Sequence, residues 1–301
     1  MGNIILLVVC FLAGMIMRRS GRFPSGSATV LNQFIINISL PALALLHIHE
    51  LKIDLSLAFP ITMAWIVFLV SVVFFLIVGK AMGLGRQSIG CLMLSGGFGN
   101  TSFVGIPMIN AYYGASLVGI GVLADQAGSF LCLSTLGIFT AAKFSSGKLS
   151  FAQVLKKVAM FPPFQALVVA VLLKPVEYPE WLIITLSELG STITPLALVS
   201  VGFQLHLGYM KGALGKLGVG LLYKLAVAPV VIYILFVWLM GGTGEIVQVT
   251  VFEAAMGPMV TSSIVAMDYD LDPPLATLML GIGIPLSFIT LPVWFYLLGG
   301  V

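Results

Sequence analysis

The sequence contains very few charged residues. Only 8% of its 301 residues are Asp, Glu, Lys or Arg, whereas a soluble globular domain carries about 25%. So few charges cannot cover a water-exposed surface, which excludes an ordinary soluble protein. The 14 basic residues nearly balance the 11 acidic ones. Since they form no clustered basic face, no nucleic-acid partner is predicted.

Cysteine and histidine are also scarce. Cys10, Cys91 and Cys132 lie in apolar segments without metal-ligand or redox spacing, which predicts small buried side chains. His47 and His49 lack the further ligands of a closed zinc site. We therefore predict no metal and no cofactor. The sequence also shows no combined nucleophile, base and orienting group, which argues against an enzyme.

Hydrophobic residues, in contrast, make up 59% of the chain, and the mean hydropathy is +1.13. Apolar runs of roughly 20 residues, each able to cross a hydrocarbon layer about 30 Å thick, recur from end to end. They predict an all-α polytopic membrane protein with ten transmembrane helices. The predicted spans are approximately Ile4–Met17, Ala28–Ile48, Leu55–Val78, Ile89–Ala111, Ser116–Ala142, Phe151–Leu173, Trp181–Leu205, Leu217–Met240, Glu245–Met267 and Pro274–Leu298.

The basic residues predict the orientation of these spans, because short cytoplasmic loops carry an excess of Lys and Arg. Eleven lie in the loops after spans 1, 3, 5 and 7, whereas only Lys52 and Lys174 lie in the opposite loops. Both termini are therefore predicted on the outside of the cell membrane. The eleven residues are Arg18, Arg19, Arg22, Lys80, Arg86, Lys143, Lys148, Lys156, Lys157, Lys211 and Lys216.

The two halves of the chain contain similar strings at nearly one offset. Residues 39–45 in span 2 resemble residues 193–199 in span 7, and residues 105–108 in span 4 resemble residues 256–259 in span 9. With five helices per half, the halves would be inverted, a construction common in secondary transporters. Strings this short also match by chance. We predict two inverted repeats, residues 1–145 and 146–301.

Spans 4 and 9 are interrupted by glycine and proline at corresponding places. Residues 96–105 contain four glycines, and both Pro107 and the Gly257–Pro258 pair disfavour a regular helix. Each proline is predicted to begin a second half-helix whose N-terminus favours an anion at the membrane centre. Alternatively, the glycines serve close packing and the prolines make kinks. Neutral hydrogen bonds to substrate would come from Asn100, Thr101, Thr261, Ser262 and, on the opposing wall, Asn37.

Four charged residues fall well inside the predicted spans: Asp125, Glu188, Lys224 and Glu253. Each costs at least about 2.5 kcal/mol near the membrane centre and usually faces a partner or a cavity. Asp125, followed by Gln126, lies roughly 15 Å deep and is the first candidate for a proton relay or an ion pair. Glu253 is the second candidate. Lys224 either extends to the cytoplasmic edge or pairs with one of these carboxylates.

The acidic stretch 268–272 has the first carboxylate positions of a calcium loop. Its sixth position is Pro273 rather than Gly, and its twelfth is Met279 rather than Glu. We predict a solvated loop there rather than a metal site.

The motifs together resemble those of the auxin efflux carrier family, which includes bacterial carboxylate permeases and plant auxin exporters. The resemblance covers essentially the whole chain. Its most specific pieces are residues 32–41 in span 2, 99–107 in span 4, 194–202 in span 7 and 253–258 in span 9. One departure is Met256-Gly257-Pro258, where relatives often have Met-Pro-Pro. The short link between spans 5 and 6 is more similar to bacterial or archaeal carriers than to plant exporters.

The resemblance implies two inverted five-helix repeats, with spans 4 and 9 crossing at Pro107 and Pro258, as in bile acid symporters and the NhaA antiporter. Spans 1, 2, 6 and 7 would form a scaffold and the site of homodimer contact, and the other spans a domain that moves like an elevator. It assigns the polar site residue of span 4 to Asn100. The expected substrate is a small organic anion such as a mono- or dicarboxylate or an auxin-like acid, with a proton or sodium ion as a possible partner. Alternatives are a cation-coupled symporter of bile-acid-like anions, a channel, or a ligand sensor without transport.

Overall fold

The computed structural model of the protein describes residues 2–49, 55–145, 159–160, 162–204 and 213–299. In these residues every regular element is a helix, and no strand forms. The helices are α1 (Gly2–Arg19), α2 (Ser27–Ile48), α3 (Leu55–Ala81), α4a (Arg86–Gly97), α4b (101–112), α5 (Ala115–Phe144), α6 (Pro162–Leu172), α7 (Glu180–Phe203), α8 (Leu214–Leu239), α9a (Glu245–Ala254), α9b (Val260–Asp268) and α10 (Pro273–Leu298).

Six helices of the described residues are long and apolar enough to cross a membrane: α2, α3, α5, α7, α8 and α10. The predicted all-helical fold with apolar spans is thereby confirmed, whereas the count of ten spans is not confirmed. Predicted spans 4 and 9 are divided into shorter pieces, since α4a has 12 residues and α9a has 10. Much of predicted span 6 lies outside the described residues, because 151–158 and 161 are among those not described.

Helix α3 shows how the composition produces these elements. Lipid offers no hydrogen bonds, so the backbone of a spanning segment must satisfy its own polar groups, which a helix does. Leu69, Val73 and Ile77, spaced by four residues, form an exposed apolar stripe. Phe68 and Phe75 are buried in the protein core. The exposed stripe is therefore the face available to lipid, and the buried face packs against other helices.

The helices pack in two groups. In one group α1 and α2 pack along α7, and α6 packs against α2. In the other, α3 packs against α4a, α5 and α9a, while α10 packs against α4a, α8 and α9b. The groups meet where α2 contacts α5 and where α4b contacts α7. Within the first group α1 and α7 approach closely at Gly14 and Gly202, because a Cβ on Gly202 would collide with the Phe11 carbonyl.

The break between α4a and α4b and the break between α9a and α9b were predicted at Pro107 and Pro258, but the structure places the helix starts elsewhere. Helix α4a ends at Gly97, Phe98 is extended, and the next helical turns start at Thr101 with Asn100 as the N-cap. Pro107 therefore lies inside α4b rather than at its start, because the Asn100 side chain caps the helix earlier. Pro258 lies in an extended stretch, and α9b starts only at Val260.

The acidic loop before α10 is solvated at Asp270, as predicted, but Asp272 is largely buried. Asp272 caps α10, and its Oδ2 accepts hydrogen bonds from Ser88 (2.6 Å) and Lys216 (2.9 Å). Its side chain is 18% exposed. Burial alone would raise the pKa of Asp272, but the bonds from Ser88 and Lys216 and the Lys216 charge outweigh it and lower this pKa. Asp272 thus ties together the ends of α4a, α8 and α10.

Candidate functional site

The two breaks meet through main-chain hydrogen bonds. The Asn100 N–H donates to the Gly257 carbonyl at 2.8 Å, and the Met259 N–H donates to the Phe98 carbonyl at 3.1 Å. Gly99 and Pro258 form the antiparallel bridge between these bonds. Backbone groups freed by unwinding the helices at this depth therefore satisfy one another, as an apolar environment requires.

Asn100 and Thr101 hold the start of α4b. The Asn100 Oδ1 accepts a hydrogen bond from the Phe103 N–H at 3.1 Å, which is a helix N-cap. The Asn100 Nδ2 is buried and has no hydrogen-bond partner among the described residues. The Thr101 hydroxyl donates to Asp125 Oδ1 at 2.7 Å and lies 3.1 Å from the Ser129 hydroxyl. The first turn of α4b is thus linked to α5 by side chains.

Asp125 lies on α5, where the helix widens to π-helical turns over Ala124–Phe130. It is 3% exposed. The Gln126 amide donates to its second oxygen, Oδ2, at 2.5 Å. Of the residues predicted for the site, Thr101, Asp125 and Gln126 are therefore brought together in one buried network. Asn100 lies next to Thr101 but makes its side-chain hydrogen bond to the Phe103 N–H.

Glu253, the penultimate residue of α9a, is completely buried. Neither carboxyl oxygen has a hydrogen-bond partner among the described residues. A Cβ on Gly105 would lie 2.5 Å from Oε2, and a Cβ on Gly121 would lie 3.2 Å from Oε1. The carboxyl group therefore occupies a space that exists because α4b and α5 carry glycine at these two positions.

Lys224 on α8 is 1% exposed. Its Nζ donates to the Ala254 carbonyl at the C-terminus of α9a, at 2.8 Å. A Cβ on Gly99, just beyond the C-terminus of α4a, would lie 3.2 Å from the same nitrogen. Of the alternatives left open by the sequence, Lys224 does not extend to the edge, and its hydrogen-bond partner is a backbone carbonyl.

The charges at the crossing match the helix ends beside them. Helix C-termini carry partial negative charge, and Lys224 lies at the C-terminal ends of α4a and α9a. Helix N-termini carry partial positive charge, and Asn100 and Asp125 occupy the N-terminal end of α4b. The anion expected from the sequence at that end of α4b would have to share it with the protein's own groups.

The other polar residues predicted for the site are exposed, except for Ser262, which binds the backbone of the crossing at Met259. The Asn37 side chain is exposed and donates to the Gln33 carbonyl at 2.7 Å within α2. Thr261 is exposed. The Ser262 hydroxyl is buried and donates to the Met259 carbonyl at 3.1 Å. Glu188 is exposed on α7.

A cavity of about 320 Å³ lies between the two helix groups, lined by parts of α1, α2, α4b, α5 and α7. Pro107 is the one predicted site residue in its wall. Its polar lining residues are His47, Asn110, Ser187, Ser191 and Thr194; its apolar lining includes Leu43, Leu46, Ile106, Val118 and Ile193. No Lys or Arg occurs among the lining residues that the structure describes.

Several residues of this site were missed in the sequence. Gly105 and Gly121 carry no chemistry of their own and become important only because Glu253 points at them. Asn110, Ser191 and Thr194 are ordinary polar residues of apolar helices, and only the meeting of α4b with α7 brings them together. Thr194 lies in the 194–202 string, which was a usable signal.

The chain combines apolar spans with two interrupted helices that are joined at their breaks, and buried charged residues surround the join. Together these features define the class of integral membrane transport proteins. The sequence profile of a family described as "Membrane transport protein" matches residues 1–150 and 146–295. The chain belongs to this family, the auxin efflux carrier family, and the resemblance inferred from the motifs is confirmed.

Two archaeal relatives are similar over the full length. An uncharacterised transporter of Methanothermobacter thermautotrophicus is 23% identical over 301 residues, which cover 97% of this chain and 96% of the relative. An uncharacterised transporter of Methanocaldococcus jannaschii is 22% identical over 307 residues, which cover 99% of this chain and 98% of the relative. Both are called transporters without a named substrate.

Proposed function

We propose that the protein is a secondary active transporter of small organic anions in the cell membrane, with both termini outside. The observation that carries the proposal is the main-chain crossing of two interrupted helices, with Asn100 and three buried charged residues around it. Interrupted helices at corresponding places in two halves are the best sequence pointer to a substrate site at the membrane centre. The fold we propose is two inverted five-helix repeats.

The packing supports an elevator mechanism. Helices α1, α2, α6 and α7 form the group that would stay fixed and make the homodimer contact, and the crossing lies in the other group. Few elements bridge the groups, chiefly α2 with α5 and α4b with α7. In this proposal the second group slides along the first and carries the crossing and its substrate across the membrane.

The cavity between the groups supports a small organic acid as the substrate. Ligand pockets usually have volumes of about 300–1,000 Å³, and this cavity of about 320 Å³ is at the lower end. Its side chains offer an apolar wall and neutral hydrogen-bonding groups from Asn110, Ser191 and Thr194. Such a wall suits a carboxylate with an apolar body. In this proposal the buried Asn100 amide, whose Nδ2 has no hydrogen-bond partner among the described residues, binds the substrate as the groups move.

Coupling follows from the charge of the substrate. Moving one charge through about 100 mV is worth about 2.3 kcal/mol, so an inside-negative potential drives anions out, and uptake needs a cation. The buried carboxyl groups of Asp125 and Glu253, together with Gln126 and Lys224, are the groups we propose for coupling to a proton or sodium ion. Replacing either carboxyl by an amide is expected to abolish pH-driven uptake and leave exchange intact.

Counterflow tests the transport proposal directly. The purified protein is first screened by thermal shift against organic acids, and any ligand found is then used in proteoliposomes. We expect unlabelled acid inside the vesicles to accelerate entry of labelled acid. Current far above carrier turnover without this acceleration would identify a channel, and binding without flux would identify a sensor. Either result contradicts the proposal.

The exposed Asp270 supplies a matched control for coupling. Asp270→Asn removes a carboxylate from a loop, whereas Asp125→Asn removes a buried one. We expect pH-driven uptake to persist in the first variant and to disappear in the second. An Asp125→Asn protein with unaltered pH dependence would remove Asp125 from the coupling groups.

A further inference from the structure

Two buried carboxyl groups at the crossing have opposite surroundings. Asp125 accepts hydrogen bonds from Thr101 and Gln126 and lies at the positive end of α4b. Donors of this kind favour an ionised carboxylate. Glu253, in contrast, receives no hydrogen bond from the described residues and is completely buried. Carboxyl groups in such different environments commonly divide into an ionised and a protonated partner.

The space around Glu253 suits a neutral acid. Gly105 and Gly121 face its oxygens, and Ile106 and Ile109 lie close to Gly121. An isolated carboxylate in such apolar surroundings is strongly disfavoured, and a group of this kind normally neutralises itself by taking up a proton.

The charged groups nearby do not remove the need for Glu253 to be protonated. Asp125 from α5 and Lys224 from α8 both act electrostatically on Glu253, with opposite signs. The Lys224 ammonium donates to the Ala254 carbonyl and makes no ion pair with Glu253. Asp125 is itself a carboxylate, and two buried carboxylates that share one site do not readily ionise together.

The His, Cys, Asp and Glu side chains that the structure describes do not build a metal site in the same space. Na⁺ and similar cations require several oxygen ligands at once, as hard cations do. Gly105 and Gly121 lie against the Glu253 oxygens, and neither oxygen has a hydrogen-bond partner among the described residues. Within the described ranges no cluster of three His, Cys, Asp or Glu side chains could hold a metal ion.

We propose that Glu253 is the proton-carrying residue of this protein, held as a neutral carboxylic acid in the present conformation, while Asp125 stays ionised. This assignment deepens the proposed function, because it names the ion and the residue that binds it. The Glu253 carboxyl takes up its proton from water on one side of the membrane and releases it to water on the other side as the second group slides. Asp125 acts as a fixed charge that holds the first turn of α4b through Thr101, so pH-driven uptake depends on Asp125 although its carboxylate carries no proton.

Infrared spectroscopy of the full-length protein in lipid tests the protonation directly. Exposed carboxyl groups are ionised at neutral pH, because their ordinary pKa values are about 4. A carbonyl stretch of a protonated acid at neutral pH therefore reports a buried acid. We expect the wild type to show this band, Glu253→Gln to lose it, and Asp125→Asn to keep it.

Three results would overturn the assignment: no acid band in the wild type, a band that survives in Glu253→Gln, or a band that is lost in Asp125→Asn. If Glu253→Gln fails to fold, Glu253→Asp keeps the acid and is expected to shift the band; an unshifted band would count against the proposal. The transport proposal is tested by counterflow, and its failure can be distinguished from failure of the Glu253 assignment. A band that depends on Glu253 in a protein without counterflow supports the proton site alone, and counterflow without a band supports transport alone.

Discussion

The contact between α1 and α7 gives a prediction whose size can be worked out from the structure. At Gly202 an added Cβ would collide with the Phe11 carbonyl oxygen and lie 3.2 Å from the Met15 nitrogen. Both are backbone atoms and cannot turn aside as a flexible side chain would. Small residues allow membrane helices to approach this closely. Gly202→Ala should therefore force the two helices apart.

Gly218 on α8 provides the matched control, because a Cβ there would meet no atom within 4 Å. Both substitutions gain the same helix propensity of alanine over glycine, about 1 kcal/mol. Their difference in stability is thus the cost of the collision, and overpacking typically costs about 1–3 kcal/mol. At about 2.1 cal/mol/K per residue, 301 residues correspond to roughly 1.6 °C per kcal/mol, so Gly202→Ala should unfold roughly 2–5 °C below Gly218→Ala.

Thermal unfolding of the two purified variants in the same mild detergent measures this difference. A collision-free contact would give two equal Tm values. If Gly202→Ala unfolds at the same temperature as Gly218→Ala or above it, then the backbone contact between α1 and α7 is not as close as described, and the reasoning is wrong.

Three further predictions concern the crossing and the loop before α10. Lys224→Met leaves the buried Ala254 carbonyl without its donor, which should cost about 1–3 kcal/mol; an unchanged Tm would contradict this role. Asp272 has a lowered pKa, so its stabilising effect is present above its unfolded pKa of about 4 and is lost as the pH falls through the lower folded value. The decrease in Tm on acidification should therefore be smaller for Asp272→Asn than for the wild type. If Tm depends on pH in the same way in both proteins, protonation of Asp272 does not affect stability. Asn100→Ala should weaken substrate binding and also remove the cap of α4b. Asn100→Ser keeps a capping oxygen and loses only the amide donor. If Asn100→Ser and the wild type bind the acid with equal affinity, the amide lies outside the site.

The sequence was most informative where length and polarity decide the structure. An apolar run such as Leu55–Ala81 has no alternative in lipid but to form a helix. A carboxylate such as Asp125 in that setting has to be buried among partners, and its role as a site residue could be proposed without knowing which partners they are. The clustered glycines of span 4 likewise indicated a break.

Residues that meet only in the folded chain could not be predicted. The start of α4b depends on the Asn100 side chain reaching the Phe103 N–H, which competes with the preference of proline for a first turn at Pro107. The space around Glu253 depends on Gly121, and this contact cannot be predicted from the hydrophobic periodicity of α5 or of α9a. Polar residues such as Asn110 are evident as cavity lining only after α4b and α7 are placed together.

The crossing of α4 and α9 is held by atoms that every amino acid possesses. The Asn100 N–H, the Gly257 carbonyl, the Met259 N–H and the Phe98 carbonyl form it without any side chain. Substitution at Phe98, Asn100 or Met259 therefore leaves the bonding groups in place unless it introduces a proline at a donor. At Gly257 a Cβ would lie 3.1 Å from the Gly283 carbonyl oxygen, so this position is restricted to glycine. If the proposed function holds, evolution can alter the side chains that surround the substrate while the crossing keeps its register, so one architecture can be adapted to substrates of different size and shape.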